Sequence, residues 1–277
     1  MSERIPIIPS EPASRSTEQR RIPWGAIFLG SFSALILALL FSPGMPLEWK
    51  MYAVVHGICA QQHNIFVGGL QFPLCARNSG IYLSFILTFL YFYAIGRGRA
   101  GKIPPWSIVF TLLAFVGLMA VDGFNSLFVD LGLPNWYPPD NFLRTLTGMG
   151  MGITIATMLH LVLNNTLRQN VDLQQPIFAN WWELLGIIVI DLLALAAIYG
   201  NLGMTFWPLA LLAFFGILGV LYLVCLLLIS LFMGYEGKVT SVRQLAAPAT
   251  IALIPTLLIA GAMSWLRFWL ESMGLIL

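Results

Sequence analysis

Residues 56–82 read HGICAQQHNIFVGGLQFPLCARNSGIY, and the rest of the chain is organised around this stretch. It contains two of the three cysteines and two of the three histidines of the protein. It also contains a Gly-Gly pair and a Cys-Ala-Arg sequence. Because most other segments are apolar, this stretch concentrates the side chains that are able to carry chemistry.

The amino-acid composition indicates a membrane protein with several transmembrane helices. Of the 277 residues, 58% are hydrophobic and only 9% are charged, and the mean hydropathy is +0.84. Soluble domains carry about 25% charged residues, so this deficit predicts a polytopic membrane protein. A formal net charge of +2 without a Lys/Arg-rich run argues against nucleic-acid binding. Three cysteines are too few for a disulfide-rich scaffold.

Seven apolar segments are long enough to cross a bilayer, which needs about 20 residues at a rise of about 1.5 Å per residue. The first segment is marginal in length, and the sixth is long enough to tilt. They cover about residues 24–41, 75–95, 104–121, 142–163, 181–199, 206–233 and 247–270. The expected fold is therefore an all-α bundle of about seven transmembrane helices.

The basic residues indicate the orientation of the chain, because cytoplasmic loops are enriched in Lys and Arg. If the chain has seven spans, most of the basic residues lie on one side of the membrane. The residues on that side are Arg4, Arg15, Arg20, Arg21, Arg97, Arg99, Lys102, Arg168, Lys238 and Arg243. The opposite loops contain Lys50, Asp130 and Asp140. The N-terminus is thus expected in the cytoplasm and the C-terminus outside, with loops 56–71 and 122–141 on the extracytoplasmic side.

The chain divides into three parts by composition. Residues 1–22 are polar and proline-containing, without the apolar core of a cleaved signal, so a disordered cytoplasmic tail is expected. Residues 23–172 form a four-span membrane domain that carries most of the unusual polar residues. Residues 173–277 provide three further transmembrane helices, which are plainer apart from Asp191.

The cysteines and histidines of the opening stretch allow three interpretations. If the segment were helical, His56, Cys59 and His63 would share one face, and Cys75 would return beside them after the Gly-Gly turn. Two His and two Cys are the residue types that bind zinc in tetrahedral sites, although their spacing here is not a recognised zinc pattern. The alternatives are a Cys59–Cys75 disulfide, which an oxidising location permits, or buried cysteines with ordinary interfacial histidines.

A second group of polar residues lies at predicted helix ends. Arg77 begins the second span, Arg144 begins the fourth with Asn141 one turn before it, and Asp122 closes the third. In the predicted topology these helix ends lie at the same depth in the membrane, which predicts an Arg–Asp–Arg cluster. One guanidinium group would then remain available to donate two hydrogen bonds to a phosphate or carboxylate. The alternative is that both arginines reach the interface separately and that Asp122 caps a turn with Gly123.

Asp191 lies at mid-depth in the fifth span, within GIIVIDLLALAAIYG at residues 186–200. An ionisable residue at that depth is a functional candidate. It fits a proton relay or a coupling-ion ligand, with His160 as a candidate partner, and equally a neutral Asp hydrogen-bonded to a neighbouring helix. The Gly148-x-Gly150-x-Gly152 pattern predicts a small-residue face for close helix packing.

The segment PLCARNSGIY at residues 73–82, preceded by Cys-x-Gln and Gly-Gly, resembles the prokaryotic membrane family DUF2085, a domain of unknown function. Members typically show Cys-His-Gln, a Gly-rich stretch and Pro-x-Cys-Ala-Arg-x-x-Gly-Ile-Tyr, followed by Asp-Gly and Asn-x-x-Arg-x-x-x-Gly. The later motifs correspond here to Asp122-Gly123 and to residues 141–148. The resemblance covers about residues 54–163. It implies a prokaryotic plasma-membrane protein and supplies no activity.

Two departures from the family pattern bear on cofactors. Ala60 stands where many members have His, and Asn78 stands where many have a second Cys. These departures weaken any metal or redox role that rests on a Cys-x-x-Cys pair. No cofactor is therefore expected, with zinc and a quinone as the alternatives.

The favoured function is binding or transport rather than catalysis. An anionic small molecule or lipid head group would bind Arg77, Asp122, Asn141 and Arg144 in an outward-facing pocket, and Asp191 would couple protons. One alternative is a membrane thiol–quinone or metal-dependent oxidoreductase, against which the isolation of the third cysteine in the sixth span counts. Another is a structural subunit of a membrane complex. The lipid bilayer is the expected partner, and nucleic acid is not.

Overall fold

The computed structural model describes residues 22–59 and 63–275, so residues 1–21 of the predicted tail lie outside the described residues. Eight α-helices dominate this part of the chain. They are α1 (Trp24–Phe41), α2 (Leu47–Val55), α3 (Ala76–Ala94), α4 (Trp106–Asp130), α5 (Asn141–Leu167), α6 (Trp181–Tyr199), α7 (Phe206–Phe232) and α8 (Ala246–Ser272). The predicted all-α membrane bundle is confirmed.

Six helices within the described ranges are long and apolar enough to cross a membrane, namely α1 and α4 to α8. The remaining predicted span is α3, whose first turn contains Arg77, Asn78 and Ser79. These polar residues lower its mean hydropathy, yet α3 lies at the centre of the bundle with nine buried residues. The count of seven spans and the orientation of the termini stay predictions.

The boundaries of the apolar segments agree closely with the helices, and α1 and α6 match to the residue. The main difference is α4, which was expected to stop near residue 121 and instead continues to Asp130. The added turns place Asp122, Asn125 and Ser126 in the interior. Apolar side chains such as Phe124 face outward from the same turns. Asp122 therefore lies inside a helix, and the interpretation that it caps a turn with the next glycine is wrong.

A β-hairpin that the sequence did not predict follows α2. Strands β1 (Asn64–Val67) and β2 (Leu70–Cys75) pair antiparallel. The two-residue turn between them is Gly68-Gly69, with φ of +59° and +81°, as a type I′ hairpin turn requires. At the tip, the Gly68 amide donates a hydrogen bond of 2.7 Å to Asn201 Oδ1 in the α6–α7 connection. The hairpin is thus a folded layer over one end of the bundle rather than a loop.

A second short sheet lies at the opposite ends of α3 and α5. Strand β3 (Ala100–Lys102) follows α3, strand β4 (Asp172–Pro176) follows α5, and the two pair in parallel. This sheet joins the α3–α4 and α5–α6 connections. The predicted domain boundary at residue 172 stays a prediction.

Helices α3 and α5 run parallel with their backbones in direct contact. A Cβ atom added to Gly148 would overlap the carbonyl oxygen of Arg77, and one added to Gly152 would overlap that of Ile81. Gly80 on α3 is equally close to the backbone of α5. The predicted small-residue face therefore packs as expected, except that Gly150 faces Phe115 on α4.

Gly148→Ala is expected to lower the free energy of unfolding by about 1–3 kcal/mol, because the added Cβ must push α3 away from α5. Gly117→Ala in α4 is the matched control, since a Cβ there meets nothing within 4 Å. The control is expected to be neutral or stabilising, because Ala favours helix more than Gly. Thermal unfolding of both purified variants in one detergent provides the test, and equal midpoints would contradict the backbone contact.

Candidate functional site

The N-terminal ends of α3 and α5 meet beside the C-terminal half of α4. Gly148 contacts the backbone of Arg77, and Arg144 lies one turn before Gly148. The close helix contact therefore places the two arginines side by side. Helix α4 runs antiparallel to α5, with Phe115 against Gly150, and this direction brings Asp122 and Ser126 to the same end.

Two guanidinium groups converge on the hydroxyl group of Ser126. Arg77 Nη2 donates to Ser126 Oγ at 3.0 Å and to Asp122 Oδ2 at 2.7 Å. Arg144 Nε donates to the same serine oxygen at 3.4 Å. Ser126 Oγ in turn donates to the backbone carbonyl of Asp122 at 2.9 Å. The structure thus joins the predicted Arg–Asp–Arg cluster through a serine that the sequence analysis did not identify.

Asn141 connects this cluster to the β-hairpin. Its Oδ1 accepts a hydrogen bond of 3.0 Å from Arg144 Nη1, and its Nδ2 donates to the carbonyl of Asn64 at 3.3 Å. The neighbouring carbonyl of His63 accepts from the amide of Ala76 at the start of α3. All four predicted residues, Arg77, Asp122, Asn141 and Arg144, therefore lie in one network, and their binding of a ligand stays a prediction.

Tyr137 and Asn125 are two further members that the sequence analysis missed. Tyr137 Oη donates to Asp122 Oδ1 at 3.0 Å. Burial and this hydrogen bond raise the pKa of Tyr137, so the phenol keeps its proton at neutral pH. Asn125 bonds the backbone of Trp136 and Tyr137 and fixes this loop on α4. The i, i+3, i+4 spacing of Asp122, Asn125 and Ser126 on an apolar helix is the signal that identifies this face.

The cluster keeps donors and positive charge that its own members do not use. Asp122 is 1% exposed and Arg144 is 6% exposed, whereas the side chain of Arg77 is 23% exposed. Within the described residues, Arg77 Nε is buried without a hydrogen-bond partner. Arg77 Nη1 and Arg144 Nη2 likewise donate to none of them. Two guanidiniums and one carboxylate leave a net positive charge at a partly open site.

The charges of Arg144 and Arg77 act on the imidazole of His63. Burial lowers the pKa of His63, and the positive charge of Arg144 lowers it further. The imidazole is therefore neutral at pH 7. The sequence analysis had placed His63 with the cysteines, whereas the structure places it near the arginines.

The predicted helical face of His56, Cys59 and His63 is wrong, because α2 ends at Val55. His56 Nε2 instead contacts Glu271 Oε2 of α8 at 2.8 Å, and its ring stacks on Phe268. Within residues 22–59 and 63–275, no group of three or more His, Cys, Asp or Glu side chains forms a metal site. The zinc alternative therefore has no assembled set of ligands in this part of the chain.

Cys59 and Cys75 lie next to each other. The amide of Cys75 donates to Cys59 Sγ at 3.2 Å. The hydrogen bond with Cys59 and burial raise the pKa of the Cys75 thiol, which keeps it protonated at neutral pH. The Gly68-Gly69 turn thus returns Cys75 to Cys59 as expected, and the disulfide between them stays a prediction.

Asp191 of α6 bonds to α3 rather than to its predicted partner. Ser84 Oγ donates to Asp191 Oδ2 at 2.6 Å, and Asp191 Oδ1 is buried without a partner among the described residues. The carboxyl group borders a cavity of about 250 Å³ between α4, α5 and α6. His160 lies instead among the rings of Phe89, Phe92 and Tyr93, so the expected His160–Asp191 pair is not formed.

The comparison with known proteins agrees with the resemblance seen in the sequence. Residues 59–158 match the family of predicted membrane proteins DUF2085. This segment contains Cys59, Cys75, the two clustered arginines and Asp122. No curated protein and no solved structure matches the chain. The similarity therefore marks the same part of the bundle as the polar cluster and supplies no activity.

Asp122→Ala is expected to lower the free energy of unfolding by about 3–5 kcal/mol, because it leaves buried guanidinium charge without its carboxylate. Asp130→Ala is the control and is expected to change stability little, because Asp130 is exposed at the end of the same helix and belongs to none of the ion pairs among the described residues. Adding Arg77→Met to Asp122→Ala should restore part of the loss. Thermal unfolding of the four proteins tests the ion pair, and equal midpoints for Asp122→Ala and Asp130→Ala would contradict it.

Mild oxidation of the folded protein is expected to join Cys59 and Cys75 in a disulfide, because the hairpin already holds them together. Peptide mass spectrometry under non-reducing conditions identifies the linked pair. Cys225 lies in a separate apolar cluster on α7 and should remain alkylatable after denaturation. Cys59→Ser is the control, in which Cys75 should stay a thiol. A cross-link that forms only in the denatured protein would contradict this prediction.

Proposed function

We propose that this protein binds an anionic small molecule or lipid head group where α3 and α5 begin. The observation that supports this proposal is the convergence of Arg77 and Arg144 on Ser126, with Asp122 as the one carboxylate hydrogen-bonded to them and the exposed Asp130 acting only at longer range. Removing charge from water is costly, and one carboxylate neutralises one guanidinium. The remaining positive charge is favourable only with a counter-anion or hydration.

The unused donors indicate the chemistry of the ligand. Guanidinium groups donate in a planar fork that matches the oxygens of phosphate and carboxylate groups. The cluster leaves Arg77 Nε, Arg77 Nη1 and Arg144 Nη2 as unused donors, and the more exposed Arg77 provides the open side. A phosphate or carboxylate that bridges both arginines would neutralise the site.

Neighbouring neutral groups would refine the selection of the anion. His63 is uncharged at neutral pH, because burial and Arg144 lower its pKa. It therefore adds a hydrogen-bonding group rather than a third charge. Acidification below the lowered pKa of His63 would protonate the ring and strengthen anion binding.

Asp191 is proposed to couple protons to this binding. Its hydrogen-bond donor Ser84 lies seven residues after Arg77 on α3, which is about 10 Å along the helix. Its second oxygen, Asp191 Oδ1, is buried without a partner in the described part of the chain. A buried carboxyl group with one open oxygen suits a proton-carrying role. The same helix would then contact both the anion site and the proton site.

We place this site on the extracytoplasmic side of a prokaryotic plasma membrane. The loops of the opposite end contain the basic residues Arg97, Arg99, Lys102 and Arg168, which the positive-inside rule assigns to the cytoplasm. The adjacent Cys59 and Cys75 support a disulfide that would brace the hairpin in an oxidising location. A redox enzyme is less well supported, because Cys225 lies in a separate apolar cluster on α7 and the described residues therefore offer no second dithiol to pass electrons onward.

Arg144→Gln is expected to weaken anion binding at least about tenfold, because charge-assisted hydrogen bonds contribute about 1.5–3 kcal/mol. The probes are inorganic phosphate and, separately, phosphatidylglycerol compared with phosphatidylcholine of the same chains. Binding is measured on detergent-purified protein by thermal stabilisation and native mass spectrometry.

Arg243→Gln is the matched control, because Arg243 is exposed in the connection between α7 and α8. Arg144→Lys keeps the charge without the planar fork and should retain part of the binding. Folded Arg77→Gln and Arg144→Gln proteins that bind both probes as tightly as the wild type would overturn the proposal. Phosphate binding without lipid selectivity would identify a small anion rather than a head group.

A further inference from the structure

A second cavity lies between α1, α7 and α8, away from the arginine cluster. Its volume is about 660 Å³, and α2 closes one end of it. Apolar side chains from three helices line it, among them Leu39, Phe214, Leu218 and Leu257. Cavities that hold small ligands have volumes of about 300–1,000 Å³, so this cavity is large enough for a ligand.

Helix α1 is held loosely around this cavity. None of its residues is buried, although its mean hydropathy qualifies it as a membrane span. It packs on α8 and α2, and the cavity separates its Phe32 and Leu39 from α7. The side chains of the described residues therefore do not fill the space between α1 and α7.

Two hydroxyl groups that line the cavity, those of Thr256 and Tyr222, already donate to helix carbonyl groups. Thr256 Oγ1 donates to the carbonyl of Ala252 at 2.7 Å, and Tyr222 Oη donates to that of Ala249 at 3.1 Å. Ordered water needs two or more polar partners, and empty apolar cavities stay dry. Because α1 lies at the membrane-facing edge of the bundle, hydrocarbon is the material available to fill the space.

One cation marks one end of the cavity. Lys50 of α2 lines it and donates from Nζ to the carbonyl of Leu40 at 3.1 Å. Among the ion pairs of the described residues, none involves Lys50. Ser42 adds a hydroxyl-bearing residue at the same end. An apolar cavity with a cation at one end matches an amphiphile that has a hydrocarbon chain and an anionic head.

We propose that this cavity holds a hydrocarbon chain of an anionic membrane lipid, with the head group at Lys50. Basic residues between transmembrane helices recognise anionic head groups in this way. The site is independent of the arginine cluster. Gly216 of α7 contacts the backbone of α3, whereas Phe214 and Leu218 lie about 200° around the helix from Gly216 and face the cavity.

Native mass spectrometry of the detergent-purified full chain tests the proposal with phosphatidylglycerol and phosphatidylcholine of identical chains. Wild-type protein is expected to retain one lipid and to prefer phosphatidylglycerol at least fivefold. Lys50→Gln should lose that preference while still retaining a lipid. Lys102→Gln is the control, because Lys102 lies in β3 at the opposite end of the helix bundle. Ala38→Trp fills the cavity and should abolish retention of either lipid.

Ala34→Trp is the matched control for the cavity, because Ala34 is exposed on α1 and does not line the space. Gly219→Leu narrows the cavity from α7 and repeats the test where Ala38→Trp does not fold. Retention of lipid by folded Ala38→Trp and Gly219→Leu proteins would overturn the proposal. A preference for phosphatidylglycerol that persists in the Lys50→Gln, Arg144→Gln double variant would overturn the assignment of the head group. A polypeptide retained in place of a lipid would overturn the whole proposal.

An Arg144→Gln variant separates this site from the proposed function. In this background the arginine cluster no longer contributes to lipid binding, so the preference for phosphatidylglycerol that remains reports Lys50 and should disappear when Lys50→Gln is added, because Arg144 contacts α4 and Asn141 rather than the cavity. Loss of the preference in Arg144→Gln but not in Lys50→Gln would assign the bound lipid to the arginine cluster and overturn the second site.

Discussion

The fold depends on the direct backbone contact between α3 and α5. Gly80, Gly148 and Gly152 leave no side chain between the two helices. In a bilayer, lipid is as apolar as the helix surface, so close van der Waals packing rather than hydrophobic attraction holds helices together. Because α3 and α5 run parallel in this contact, their N-terminal ends coincide. Arg77 and Arg144 therefore lie side by side as a consequence of packing.

This proximity creates a repulsion that α4 offsets. Two guanidiniums lose hydration together, and their mutual repulsion grows as the surrounding dielectric falls. Asp122 and Ser126, one turn apart on α4, supply a carboxylate and a shared acceptor. Tyr137 holds the second carboxylate oxygen. One carboxylate does not balance two guanidiniums, so the same helix contact that stabilises the bundle also brings together the positive charge on which the proposed anion site rests.

The sequence predicted the positions of the helices better than the contacts between side chains on different helices. Apolar length alone located α1 and α6 to the residue, because their polar flanks are abrupt. Apolar length did not predict the end of α4. The apolar segment ends before Asp122, although the helix continues for two further turns. A polar side chain that is paired inside the protein has the same hydropathy value as one in water. The sequence did not predict the hydrogen bonds of Ser126 either, because its arginine partners lie on two other helices.

The helix contact also constrains how the site can move. Ser84, two turns after Arg77 on α3, holds Asp191 of α6, so α3 contributes to both polar centres. The glycines bring the backbones of α3 and α5 into direct contact, because a Cβ atom added at any of them would overlap the facing backbone. Packed interfaces of this kind shift between discrete arrangements rather than deform continuously. A movement that links the proposed anion site to Asp191 is therefore expected to carry α3 and α5 together relative to α4 and α6.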